Sequence, residues 1–460
     1  MAEHLWGRGR GPERRSRRAG SPAALVVVVL LALLLAACRG GTDTDGGGGG
    51  GGGGGESPPT QVETLDPPES EVTLEFWTPF TGPDGPFMER LVDEFNAEGT
   101  TVTVNLTTQA EYYQKLSTAA QAGNLPHVGV VHLDQIPQQS EDGIITPIGD
   151  LVDLLELEGG DFTEAVWNNT EWKGERYGVP LDIHPLTFYW NREAFEEAGL
   201  DPDAPPNSEE EFVAAAQALN DAGYTGPIWS NHGFSAGLLW ASLFYQGGGE
   251  WTNDDYTEAT YNSEAGVQAA QFMRDLVDQG LHPSGVEVDA ELPAFLEGSS
   301  GMIVAGPWQL SRLAEGLGDN LGAGPVPQIF GEGVWAGSHN LAVMEGVSDE
   351  ERQAAYYFID WITRNATEWA RAGQVPARAE VREDSAFAEI PHIPTIAEQV
   401  DAAQFYPAFP GAPELHFGAG GATEAVVSVL AEGGDPQQLL DESAQRFTQI
   451  IQETKERYDY

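Results

Sequence analysis

Several side chains able to do chemistry fall where strand-like segments give out. Trp77 closes a run at 71–77 in which Val72, Leu74 and Phe76 alternate with polar residues, and His132 and Asp134 come directly after an apolar run at 128–131. Asp182 and His184 lie between two apolar runs, 177–181 and 186–190, with Pro185 barring a helix there. Trp229 ends a short segment at 227–229, Trp308 follows the apolar run 302–305 through Gly306-Pro307, and Trp335 stands beside a loop. Flat aromatic rings offer apolar contact area at little entropic cost. Carboxylates and imidazoles exchange hydrogen bonds with hydroxyls, and the charge-assisted bonds are the stronger ones. These residue types suit the grip of a hydroxyl-rich ring such as a pyranose. The same tryptophans could instead pack a core. Trp361 and Trp369, on a helix with a clear apolar stripe, are expected to do so, and Trp240 is placed nearer that reading than the others. Asp84, Asp134 and Asp182 could alternatively form an acidic site for a cationic solute such as a polyamine.

Catalysis has one candidate pattern. Gly233-Phe-Ser235-Ala-Gly237 fits a nucleophile elbow, with His339 and His392 downstream as a triad would require. The segment before it, 228–232, is polar and short, unlike the buried strand such an elbow needs. Paired carboxylates of a glycosidase are conceivable in a chain with 72 acidic residues, but no spacing singles out a pair. HExxH, a P-loop and an EF-hand loop are all missing from the sequence. The chain therefore reads as a non-enzyme without cofactor or metal; a secreted hydrolase, glycosidase or GxSxG esterase, is the alternative.

A net charge of −50 with only three lysines argues against nucleic acid or any polyanion as partner, because phosphates would be repelled. The first 37 residues read as a signal peptide: a basic stretch containing Arg8, Arg10, Arg14, Arg15, Arg17 and Arg18, then an apolar run at 23–36 too short to span a bilayer comfortably. The run ends Leu35-Ala36-Ala37-Cys38, which resembles a bacterial lipobox, and Cys38 is the only cysteine, so an intrachain disulfide is impossible. Residues 38–70, with an unbroken glycine run at 46–55, are a flexible tether, its reach roughly 30 Å. The chain is expected on the outer face of a bacterial cell membrane, anchored by lipid on Cys38, as a monomer.

These residues need a frame. A chain of 460 residues with 41% hydrophobic content predicts two domains. Strands at 71–77, 102–104 and 128–131 alternate with helices at 87–96 and 111–122, the pattern of an α/β lobe with a parallel sheet, which binds ligands at the carboxyl ends of its strands. The stretch 177–200 then reads as a hinge crossing, strand to polar residues to strand to helix, and 324–327 as a second crossing. Capping boxes at Ser208 to Glu211 and Ser348 to Glu351 start helices, the second carrying Ala355, Phe358, Ile359 and Ile362 on one stripe. The fold expected is α/β with two lobes, each a sheet flanked by helices: lobe 1 from 71–184 plus 326–370, lobe 2 from 185–325 plus 371–460.

Longer stretches carry a resemblance. LEFWTPFTGPDGPFMERLVDEFN (74–96), YYQKLSTAAQAGNLPHVGVVH (112–132), YGVPLDIHPLTFYWNREAFEEAGLDP (177–202), FLEGSSGMIVAGPW (295–308), GSHNLAV (337–343), AAYYFIDWIT (354–363) and GQVPAR (373–378) are similar, in order and spacing, to the family 1 extracellular solute-binding proteins, to which maltose-binding protein belongs. Those are the carbohydrate-binding subunits of bacterial ABC importers. Pro126-His127-Val128 departs from the family's usual Pro-Asp-Val. The resemblance implies a neutral sugar or oligosaccharide held between closing lobes and delivered to permease subunits. By position it implies that Trp308, the tryptophan of GPW, stacks on a sugar ring. It implies that His184 is a polar contact in the hinge, that His132 and Asp134 follow the strand bearing a hydroxyl-binding acid, and that Ser338 and His339 line the cleft.

Overall fold

The computed structural model describes residues 65–231, 234–288, 290–417 and 421–460. The signal peptide, Cys38 and most of the glycine tether expected from the sequence lie outside the described residues, as does Gly233. Among the described residues no helix is long and apolar enough to cross a membrane.

Two sheets with separate cores are joined by a third. The first has five strands in the order Val102–Thr108, Val72–Thr78, Val128–His132, His339–Val343, Val179–Pro180. Its first three strands are parallel, and His339–Val343 runs antiparallel to Val128–His132, placing His339 opposite His132. The alternation read at 71–77 is real: Leu74 and Phe76 are wholly buried. Helix Gly85–Ala97 buries Met88, Leu91, Val92 and Phe95, and helix Asp349–Arg364 buries the predicted stripe of Ala355, Phe358, Ile359 and Ile362. Phe76, Phe95 and Phe358 meet edge to face in this core. The Ser348 capping box forms reciprocally with Glu351. His127, the family departure, accepts a hydrogen bond from Glu75 N–H at Nδ1 (2.7 Å) and lies 3.3 Å from Glu351, a structural use of the position.

The second sheet has the order Leu321–Gly324, Thr187–Asn191, Ser300–Ala305, Thr225–Ile228. Helix Phe234–Gln246, nearly all of it buried, lies at the centre of the second core, where Trp240 stacks on Phe244 at 5.1 Å. Its neighbours are Glu264–Asp278 and Ala422–Glu432, and the C-terminal helix Pro436–Tyr458 packs against those two.

The connecting sheet sets the order Val375–Pro376, Asp182–Pro185, Val334–Gly337, Ala403–Gln404. Residues 179–191 thus pass from the first sheet, through this one, into the second, all of them buried. The sequence predicts one strand at 177–181. The structure has two, Val179–Pro180 and Asp182–Pro185, because the backbone changes partner at Leu181, whose N–H donates to His339 O (2.8 Å) while its carbonyl accepts from Ala377 N–H (3.0 Å). The crossing expected at 324–327 occupies a longer path: the second sheet ends at Gly324, and the chain re-enters through Val334–Gly337 and then His339–Val343.

Candidate functional site

A cleft of about 460 Å³ opens where the connecting sheet meets both lobes. Its lining comes from four places. The loop after the first strand supplies Phe80 and Asp84, the adjoining ends of Val128–His132 and His339–Val343 supply His132, Asp134 and His339, the connecting strands supply His184, Trp335 and Gly337, and the turn after Ser300–Ala305 supplies Trp308 and Gln309. Tyr113, Phe234, Phe405 and Tyr406 complete an aromatic wall. Among the described lining residues none is lysine or arginine.

Trp308 is held by a close approach. It lies in a 3₁₀ turn, Pro307–Gln309, with Phe234 and His184 at ring distances of 5.8 and 5.9 Å. Gly306 has ordinary extended dihedrals, φ −67° and ψ 151°, so the turn does not demand glycine for its conformation. It demands glycine for space, since a Cβ there would sit 2.1 Å from the Trp308 ring.

Asp182 organises the polar side. Its carboxylate, wholly buried, accepts from His184 Nδ1–H (3.0 Å), His339 Nδ1–H (2.8 Å), His339 backbone N–H (3.0 Å) and Trp369 Nε1–H (2.6 Å). The His184 and His339 rings lie 4.3 Å apart, and His132 is 4.8 Å from His339. His132 N–H donates to Tyr113 Oη (2.9 Å), which also lies 2.6 Å from His132 Nδ1. Burial alone would raise Asp182, but His339 and His184 hold it well below the usual carboxylate range. Burial, helped by the neighbouring His339, lowers His184 to about 4, and burial lowers His132 well below its ordinary value. The outer carboxyls go the other way: burial raises Asp84, against the pull of His339, and raises Asp134 to about 6. The cleft therefore offers hydrogen-bonding groups of both kinds between aromatic faces, and Asp182 orients two of its imidazoles.

Seven of the ten ligand-binding residues expected from the sequence, Asp84, His132, Asp134, His184, Trp308, Trp335 and His339, line this cleft. Three do not. Trp229 is 1% exposed and stacked on His282 at 3.9 Å; it comes just after the edge strand Thr225–Ile228, where its N–H donates to His282 Nε2 (3.1 Å) and its ring is sealed in the second core. Trp77 packs half-buried against the core, since pleat alternation turns it away from Phe76's face without bringing it to the cleft. Ser338 is wholly buried between two strands, its carbonyl accepting from Leu133 N–H. Asp182 was legible only as part of an acidic alternative; its anchoring of two histidines 2 and 157 positions away appears only in three dimensions. Phe80, Tyr113, Phe405 and Tyr406 were missed, though the aromatic and proline-rich run at 405–409 was a usable signal. Ser235 Oγ accepts from Ser230 N–H (3.1 Å), and His339 is committed to Asp182.

Two α/β lobes around a cleft crossed by connecting strands define a solute-binding architecture. Residues 90–395 match the family model described as bacterial extracellular solute-binding protein, and the chain belongs to that family. The sn-glycerol-3-phosphate-binding periplasmic protein UgpB of Escherichia coli (strain K12) is 24% identical over 418 residues, covering 83% of this chain and 93% of that protein. The GacH receptor of Streptomyces glaucescens, solved unliganded and with acarbose, superposes with a TM-score of 0.73 at 23% identity, covering 84% of this chain and 99% of that one. The cyclic alpha-maltosyl-1,6-maltose binding protein of Arthrobacter globiformis gives 0.70 at 24%, with 83% and 99% covered.

Proposed function

We propose that this extracellular solute-binding protein captures a neutral sugar or oligosaccharide in the cleft and delivers it to the permease subunits of an ABC importer, without catalysing a reaction. The observation that carries this is the lining itself: aromatic faces alternating with carboxylates and imidazoles, and no lysine or arginine among the described lining residues. UgpB is named for a phosphorylated ligand, and a phosphate needs guanidinium or ammonium partners. Their lack here favours an uncharged polyol face. The sugar-binding names of the similar structures agree with this.

The same reading takes 71–184 plus 326–370 as lobe 1 and 185–325 plus 371–460 as lobe 2. In support, every strand of the five-stranded sheet falls in the first set and every strand of the second sheet in the other. It takes Cys38 as a lipid-bearing residue tethering a monomer to the outer face of the membrane. A thermal-shift screen over mono- and oligosaccharides, sn-glycerol 3-phosphate and polyamines tests the ligand class, because a solute that binds only the folded state raises its melting point. A shift with sugars alone is expected. A shift confined to the phosphate or a polyamine would reject the proposal, and the polyamine result would restore the acidic-site alternative.

A further inference from the structure

We propose that Asp182, His184 and His339 hold a divalent transition-metal ion in the wall of the cleft. The three donors are brought together from two connecting segments, and their ligating atoms lie within 4.8 Å of one another. Two imidazoles and one carboxylate are a donor set suited to zinc, cobalt, nickel or ferrous iron, and unsuited to magnesium or calcium.

The spacing agrees. Ligands about 2.0–2.2 Å from an ion and 90–110° apart are separated by about 2.8–3.6 Å. The Asp182 oxygens lie 3.0 Å from His184 Nδ1 and 2.8 Å from His339 Nδ1. The nitrogen that His184 would use is set by packing. Its Nε2 is turned against Gly337, where a Cβ would sit 2.1 Å away, so Nδ1, the nitrogen that donates to Asp182 in the metal-free protein, is the one facing the carboxylate. With the ion on Nδ1, each ring would carry its proton on Nε2 instead. The carboxylate already has an outer shell of the kind that orients metal ligands: Trp369 Nε1–H at 2.6 Å and His339 N–H at 3.0 Å.

Charge points the same way. Asp182 is wholly buried, and its only ion-pair partners among the described residues are the two histidines. A buried carboxylate without a fixed cation is costly. A divalent ion would neutralise it. His184 and His339 line the cleft, so coordination positions not taken by the protein are reachable from it. The ion would share the cleft wall with the bound solute.

The test uses the purified protein after EDTA treatment, titrated with Co²⁺ in about 0.15 M salt with excess Mg²⁺ to occupy surface carboxylates. Visible cobalt bands saturating at one equivalent are expected, displaced by Zn²⁺. His184→Gln, His339→Gln and Asp182→Asn should each weaken Co²⁺ binding about 100-fold or more, while His127→Gln leaves it unchanged. Metal-free melting of each variant reports whether it is folded. Cu²⁺ electron paramagnetic resonance on the unaltered protein requires no variant, and two coupled imidazole nitrogens are expected. Failure to saturate with Co²⁺, saturation undiminished in all three variants, or a Cu²⁺ spectrum without nitrogen coupling would overturn the site. Sugar binding is read separately, by calorimetry on the unaltered, EDTA-treated protein.

Discussion

Truncating Trp308 to alanine separates a binding role from a packing role. The indole covers Gly306 on one side, touches Phe234 and His184 at 5.8 and 5.9 Å, and remains partly exposed to the cleft. It sits at the edge of the second core rather than within it. Micromolar affinity corresponds to about −8 kcal/mol, and a desolvated aromatic anchor carries roughly 2 kcal/mol or more of such a total. Trp308→Ala should therefore weaken sugar binding at least about 30-fold, at 1.4 kcal/mol per tenfold. Its unliganded melting point should fall by much less than a core tryptophan would cost, since full burial is worth roughly 3–5 kcal/mol on truncation. Titration calorimetry and thermal unfolding on the same variant give both numbers. A stability loss of the core size with unchanged affinity in the folded fraction would refute the anchoring role.

Gly306→Ala should act through the same ring: the new methyl displaces the indole, so affinity drops about as far as in Trp308→Ala while circular dichroism stays native. Asp134 gives a pH signature. Its carboxyl is raised from 3.8 to about 6 by burial, so the folded state holds the proton more tightly than the unfolded chain between those values. Its contribution to stability is full below about pH 4 and is lost as pH rises through 6. Asp134→Asn should thus gain in melting point relative to the parent between pH 4 and 6 and keep a constant advantage above; a difference independent of pH would contradict the shift. Cys38→Ser should move the protein from the membrane fraction to the medium, because stable attachment needs acyl chains at about 0.8 kcal/mol per buried CH₂; retention in the membrane would exclude the lipid anchor. Ser235→Ala should leave sugar affinity and melting essentially unchanged, and neither form should release phenol from aryl esters; turnover abolished by the substitution would establish a hydrolase instead.

The elements were legible because their signals are local. Alternation at 71–77, the apolar stripe on Asp349–Arg364 and the Ser348 capping box each depend on residues a few positions apart, and each formed as read; Ser208 caps its helix, but Glu211 accepts from Asn207 N–H rather than Ser208 N–H, so that box is only half formed. Ordered family motifs fixed the two-lobed architecture in the same way, since they mark the strand ends around which a cleft must form. Other features had no local trace. Trp229 and Trp335 both border apolar segments, yet one is stacked on His282 in the second core and the other faces the cleft, a difference set by which distant segments pack over each ring. Gly306 leaves the space for an indole two positions on, which no local pattern announces. Asp182 was one acid among 72, and only the antiparallel pairing of Asp182–Pro185 with Val334–Gly337 brings His339 onto its second oxygen. Spacing along the chain determines which face a side chain takes within its own strand or helix; which groups share a buried charge depends on contacts between segments distant in sequence, and those exist only once the lobes have packed.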